Sequence, residues 1–287
     1  MQKVYTGKEI FNKAKSIIGY ALVYAFLIAV CFTCVFPFLW MVLSSFKTVE
    51  EINSMKLVLF PSVWQWQSYP TVFEKINVWK GLLNTLIVEV GTIPVCVFVS
   101  GVSAFAFSKM ELRHGNVHLM VQLSALMIPY ASVVLPLYRV YFNLGLTNTL
   151  WPLILPSLFG GESMMFFFVQ FQRGIPSVIF EAAKIDGAGY MRQYVTIMLP
   201  MMGPAIAAQV IFMFVGNWND FFAPSLYLTQ PESMTLQILL KSLYDGNKSD
   251  LPNACAGAVL ASIPLYVIYL VFQKYFIEGS AISAVKG

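Results

Sequence analysis

The sequence predicts an all-α polytopic membrane protein with six transmembrane helices, and three observations lead there. The chain of 287 residues is 58% hydrophobic and 11% charged, whereas soluble proteins are about 45–50% apolar and about 25% charged. Its apolar residues gather in runs near the length of about 20 residues that crosses a hydrocarbon core as helix. Those runs are continuous rather than alternating, which excludes a β-barrel. No compact soluble core could hide this much apolar surface, so lipid is the solvent for most of it.

Six runs meet the length test, over about residues 18–43, 82–108, 117–138, 148–172, 198–222 and 254–276, within a single domain covering 1–287. Lys3, Lys8, Lys13 and Lys15 precede the first run, and the chain is uncharged from Ser16 to Phe46. That exceeds the apolar region of about 7–15 residues in a cleaved signal, so it reads as a retained span. Glu89 interrupts the second run, and His118 lies near the inner end of the third. Trp151, Pro152 and Pro156 occupy the first half of the fourth, which is expected to begin as a short interfacial helix. The fifth opens near Pro200 and closes on Asp220.

With the amino terminus inside, the inner segments hold eleven of the 18 Lys and Arg residues. This bias places both termini in the cytoplasm. Two outer loops result. The first, about 44–81, carries Pro61, Trp64, Trp66, Tyr69 and Trp79 and suits an aromatic anchor at the membrane surface. The second, about 223–253, holds Pro224, Pro231, Gly246 and Pro252 and is expected to turn back toward the membrane. The small-residue pairs Ser100/Ala104 and Gly257/Ala261 have the spacing that lets helices approach closely in lipid.

Other chemistries find little support. A net charge of +4 without a basic, aromatic-interleaved patch gives no nucleic-acid site. Cys31 and Cys34 have C-x-x-C spacing but no second ligand pair, so they and Cys96 and Cys255 read as buried small apolar residues. There is no metal-ligand set, no catalytic constellation and no Gly-x-x-x-x-Gly-Lys-Ser/Thr phosphate loop. The chain is therefore not expected to be an enzyme or to hydrolyse ATP.

The inner loop over 173–197 has a distinct local grammar. Pro176 and Ser177 suit a helix start, with Ser177 as N-cap. Glu181, Ala182, Ala183 and Lys184 favour helix, and Gly187 suits the left-handed position that ends one. Two small alanines leave a face free for a partner, and the Glu181 carboxylate suits a partner's arginine. Physics alone leaves two readings, a rigid knob that transmits force and an amphipathic loop on the inner leaflet.

The run Glu181-Ala182-Ala183, then Gly187, then Ile197, Leu199 and Pro200, resembles the EAA signature of binding-protein-dependent importer permeases. Its extended form, Glu-Ala-Ala-Lys-Ile-Asp-Gly-Ala, is similar to the carbohydrate branch, the maltose-type second permease. Further stretches resemble the same branch: Leu83-Asn84-Thr85, Leu144 to Thr149, Gly216 to Phe221, and Gln273 to Gly279 with Ala284 to Gly287. The resemblance implies a type I ATP-binding-cassette importer permease fold. It also implies a second homologous permease subunit, two cytoplasmic ATPase subunits that bind the ATP and Mg, an extracytoplasmic solute-binding protein, and a carbohydrate substrate crossing a bacterial plasma membrane. It assigns ATPase coupling to Glu181, Ala182, Ala183, Asp186 and Gly187, and implies an ATPase contact for Ser280–Gly287. The run Gly279 to Ser283 departs from the Gly-Leu-Thr-Ala-Gly-like pattern of that branch.

Polar groups at membrane depth face a cavity or a partner. Asn217, Trp218, Asn219 and Asp220 at the end of the fifth run, with Glu162, Asn84, Glu89 and Tyr130, are candidates for the substrate path. A cap or an inter-helix contact is the competing role for each. Within the importer class a polyol or a glycerol phosphoester is an alternative cargo. An ion-coupled secondary transporter and a membrane-embedded enzyme are the alternatives outside it.

Overall fold

The computed structural model describes residues 7–54, 58–244 and 250–284, and side chains over 17–54, 58–244 and 250–273. Lys3, Lys56, Gly246, Lys248, Lys286 and Gly287 lie outside the described residues. Every described element is helical. The chain divides into two compact units, Met1–Val72 with Tyr244–Leu260, and Phe73–Leu243 with Ala261–Gly287.

In the first unit, α1 (Gly7–Ser44) exposes apolar side chains on all sides over residues 17–39, as a lipid-solvated helix does. Cys31 and Cys34 are exposed on it rather than buried. Thr48 starts α2 (Val49–Asn53) with a capping box: the Glu51 amide donates to Thr48 Oγ1 at 3.2 Å, and the Thr48 amide donates to Glu51 Oε2 at 3.3 Å. Lys47 is buried, donating to the Val58 carbonyl at 2.6 Å and standing 3.9 Å over the Trp40 ring. Burial pushes its ammonium below the usual lysine range, against the pull of Glu51. The Phe46 ring gathers Trp64, Trp66 and Tyr69 at 5.3, 4.8 and 5.4 Å, so part of the aromatic loop is a ring cluster. Helix α3 (Ser68–Lys75) follows.

The second unit is organised around α4 (Val78–Lys109). Gly81, Thr85, Val88, Thr92, Cys96, Ser100 and Ala104 are buried at helical spacing, while Leu83, Leu86, Ile87 and Val90 on other sides are exposed. Its neighbours are α8 (Glu162–Arg173), α12 (Gly203–Asn219) and α14 (Leu236–Leu243). The Ser100/Ala104 face meets the start of α8, where the Gly161 amide donates to Ser100 Oγ at 2.9 Å. A Cβ on Gly160, whose φ is +82°, would stand 3.0 Å from that hydroxyl.

Two runs are not single helices. The third consists of α5 (Gly115–Ser124) with a 3-10 turn to Met127, then α6 (Tyr130–Asn143), bent by 89°. Pro129 is the cause: the residue before a proline is driven out of the helical region, and Ile128 is extended at φ −81°, ψ 114°. Near the fifth run, a helix over Tyr190–Met201, comprising α10 (Tyr190–Gln193), a π turn and α11 (Leu199–Met201), meets α12 at 78°. Pro200 therefore lies before the break, and Pro204 in the first turn of α12 takes the position expected of it. The fourth run starts with α7 (Trp151–Ile154) and a 3-10 turn before α8. With α1, α4, 151–173 and α15 (Leu251–Ala284), the two bent pairs bring the apolar helical segments to six.

Candidate functional site

Two features of the second unit bear on function, a cavity and a projecting helical knob. The cavity has a volume of about 380 Å³ and is lined by Thr85 and Val88 of α4, Tyr130 and Leu137 of α6, residues around α7, Asn217, Asp220, the segment 222–227 and Thr235. It brings together three of the path candidates, Tyr130, Asn217 and Asp220.

Local structure explains how each arrives. Asp220 stops α12 in extended conformation and accepts from the Ala223 amide at 3.3 Å, which starts α13 (Phe222–Tyr227) at the cavity wall. Asn217, three residues earlier, donates to Glu89 Oε2 at 3.2 Å and to Thr92 Oγ1 at 3.0 Å. Tyr130, first residue of α6 after the Pro129 break, meets Phe222 edge-on with centroids 6.3 Å apart.

The other candidates are placed elsewhere. Trp218 is 1% exposed, stacks on Phe214 and donates to the Ala261 carbonyl at 3.0 Å, so its indole is a core wedge and not a cavity wall. The small Ala261 side chain lets the indole reach that backbone. Asn219 is exposed and donates back to the Val215 carbonyl at 2.8 Å. Asn84 is buried and donates to the carbonyls of Glu232 and Met234 at 3.0 and 2.9 Å, while Thr85 Oγ1 receives the Leu236 amide at 3.0 Å. The Asn84-Thr85 pair thus clamps the entry to α14, and Gly81 gives that backbone room, since a Cβ there would stand 3.1 Å from Leu236 Cα. Glu162, exposed at the start of α8, lines a separate recess of about 270 Å³ with Ser100, Ser103 and Gln122.

Sequence reasoning did not single out Tyr227 and Thr235. Both line the cavity, and the Tyr227 hydroxyl and Thr235 Oγ1 are buried without a hydrogen bond, although the Tyr130 phenol neighbours Tyr227. Glu89 Oε1, beside Asn217, is unmatched too. Asn148 frames this wall: at φ +60° its Oδ1 accepts from the amides of Thr229 and Gln230 at 2.7 and 3.1 Å, and its own amide donates to the Tyr227 carbonyl at 2.8 Å. The sequence signals at Asn148 are an asparagine in a turn, where the left-handed region is tolerated, and its place in the Leu144 to Thr149 stretch.

The knob is α9 (Val178–Ile185), followed by Gly187 and the helix from Tyr190. Gly187 has φ +78°. Its amide donates to the Lys184 carbonyl at 3.1 Å and the Ala188 amide to the Ala183 carbonyl at 2.9 Å, the paired bonds of a Schellman helix end. The N-cap expectation for Ser177 is corrected: it holds the position with helical φ and makes no side-chain bond. Phe180 and Ala183 face inward; Phe180 packs on Phe105, and Lys109 of α4 donates to the Ile175 carbonyl at 2.5 Å. Ala183 is thus packed on its own chain and is not part of a free face. The outward face carries Glu181, Ala182, Asp186 and Gly187, with Val178 70% and Ile185 87% exposed. Exposed apolar residues at i and i+7 beside a carboxylate make a surface suited to docking.

Behind the knob, Gln172 at the end of α8 is fully buried. Its Nε2 donates to the Gly101 carbonyl at 3.2 Å and to Met202 Sδ at 3.0 Å, and its Oε1 accepts from Ser108 at 2.7 Å. It ties α4 and α8 to the break before α12.

Residues 22–279 match the family described as binding-protein-dependent transport system inner membrane component. The chain is 30% identical over 281 residues to the arabinooligosaccharides transport system permease protein AraQ of Halalkalibacterium halodurans, covering 96% of this chain and 99% of that one. It is 31% identical over 281 residues to the polygalacturonan/rhamnogalacturonan transport system permease protein YtcP of Bacillus subtilis, covering 93% and 97%. It also shares its fold, with TM-score 0.78 at 19% identity over 96% of this chain and 100% of the other, with a chain from the crystal structure of a bacterial ABC transporter involved in the import of the acidic polysaccharide alginate. The chain therefore belongs to the family of binding-protein-dependent transport system inner membrane components and has the all-α, six-span type I ABC importer permease fold.

Proposed function

We propose that this chain is one permease of an ATP-driven importer that moves a sugar or oligosaccharide across the bacterial plasma membrane by alternating access, with both termini in the cytoplasm. A second homologous permease pairs with it, and an extracytoplasmic solute-binding protein delivers the substrate. Two cytoplasmic ATPase subunits bind the ATP and Mg, so this chain carries no cofactor and catalyses no reaction. The relatives named for arabinooligosaccharides and for polygalacturonan support the substrate class.

One observation carries the reading. A single helix, α4, bears both a cavity walled by hydroxyl, amide and carboxyl groups and, near Lys109, the anchorage of a rigid outward knob. Glu181 on that knob offers a carboxylate to an arginine of the ATPase, and Val178 and Ile185 offer apolar area around it. Closure of the ATPases then moves a stiff element tied to the cavity-bearing bundle.

Proteoliposomes containing the assembled transporter test this. Sugar uptake that requires ATP and persists after ionophores collapse ion gradients is the expected result. Glu181→Ala inserts normally and loses uptake. Uptake driven by an ion gradient without ATP, or a fully active Glu181→Ala transporter, contradicts the proposal.

A further inference from the structure

We infer that the cavity is a subsite for an uncharged sugar unit and excludes uronates and phosphorylated cargo, an inference that rests on the carbohydrate-import reading. Its walls present acceptors: the Asp220 carboxyl lines it, and Asn217 directs its N–H groups away to Glu89 and Thr92. Sugar hydroxyls donate to such groups. Two lining atoms left without a partner deepen the case. The Tyr227 hydroxyl and Thr235 Oγ1 belong to lining side chains 2% and 5% exposed. Buried polar atoms are almost always matched, so each unmatched one calls for a ligand or water to complete it. Sugar hydroxyls, which donate and accept, complete both.

The charge balance selects among sugars. Among the described residues lining the cavity there is no Lys, Arg or His, and the carboxyl groups of Asp220 and, behind Asn217, Glu89 stand close by. A uronate or phosphate entering here would give up water, gain no counter-charge from the lining residues and stand beside the Asp220 carboxyl. Tyr130 and Phe222, set edge to face, supply the apolar surface that the C–H face of a sugar ring needs. The volume of about 380 Å³ lies near the low end of the range of about 300–1,000 Å³ for small-molecule sites, so the cavity holds a segment of a longer oligosaccharide.

The test uses the whole transporter, with partner permease, ATPases and binding protein, in proteoliposomes. The probes are the neutral saccharides maltotriose, arabinotriose, chitobiose and raffinose, and the anionic trigalacturonate and glycerol 3-phosphate. Uptake of a neutral probe at least about tenfold above either anion is expected. The near-isosteric variants Tyr227→Phe and Thr235→Val each raise KM for that probe about fivefold, the scale of one lost hydrogen bond. Trigalacturonate taken up as well as the neutral probe overturns the inference while leaving the carbohydrate reading intact, and so does an unchanged KM in both variants. Uptake of glycerol 3-phosphate with no saccharide transported overturns both.

Discussion

The two ends of α4 treat buried polar groups in opposite ways. Toward its start, the cavity wall leaves the Tyr227 and Thr235 hydroxyls unmatched, and one oxygen of Glu89, behind Asn217, is unmatched too. Toward its end, Gln172 uses both its amide nitrogen and its oxygen, binding Gly101, Met202 and Ser108. A matched buried network fixes one arrangement, whereas unmatched atoms keep free energy in reserve for a ligand. On the proposed function, the matched end transmits motion and the unmatched end receives cargo. Tyr194 is the exception within the rigid end: its hydroxyl is unmatched, but the residue is 1% exposed and set against Gly101.

Substitutions at the inner end should cost the most stability. In Gly101→Val a Cβ would collide with the Tyr194 hydroxyl, and overpacking of this kind costs about 3 kcal/mol. A large fall in the thermal midpoint of the purified complex checks it; an unchanged midpoint means that Tyr194 has room to move. Gln172→Leu should follow at about 2 kcal/mol, because the Ser108 hydroxyl and the Gly101 carbonyl lose their buried partner. Denaturant titration of the same complex measures it, and a neutral effect would show that the knot is not what ties α4 to α8.

At the knob, Gly187→Ala meets no steric obstacle, since nothing lies near a Cβ there. Its cost is the left-handed backbone alone, about 1 kcal/mol. Uptake should therefore fall while membrane insertion persists, and Gly187→Val should be worse. Wild-type uptake in both variants would remove the Schellman turn from the coupling path. The smallest stability effect belongs to the cavity. Thr235→Val removes an unmatched hydroxyl without leaving a void, so it should be neutral or slightly stabilising while transport suffers. A loss of more than about 1 kcal/mol would show that the hydroxyl already has a partner, and the contrast between the ends would fail.

Much of this architecture is legible in the sequence because hydropathy measures length in lipid. The uncharged run ending near Phe46 and the run from Leu82 onward in α4 are long enough to declare themselves. Direction is less legible. The break at Pro129 has a cause in the sequence, yet its 89° bend depends on what α6 packs against. The break at Met202 is followed at once by Gly203-Pro204, a turn signal hidden within an otherwise continuous apolar run. At the sites, residue type announces a polar partner without saying which one. Asn84, Trp218 and Asn217 all read as path residues, but the first two bond to backbone carbonyls. Ala182 and Ala183 are adjacent and chemically identical, and only helix phase puts one outside and the other in. Val178 and Ile185 read as ordinary apolar residues, and only their exposure marks them as surface.

The division of labour along α4 is tested most directly by measuring uptake and ATP hydrolysis together, over a range of sugar concentrations, for Asp220→Asn and Glu181→Ala transporters in proteoliposomes. The account predicts a raised half-saturating sugar concentration with the uptake-to-hydrolysis ratio retained for Asp220→Asn. For Glu181→Ala it predicts loss of uptake and of sugar-stimulated hydrolysis at every concentration. Wild-type coupling in Glu181→Ala, together with an unshifted half-saturation in Asp220→Asn, would contradict it.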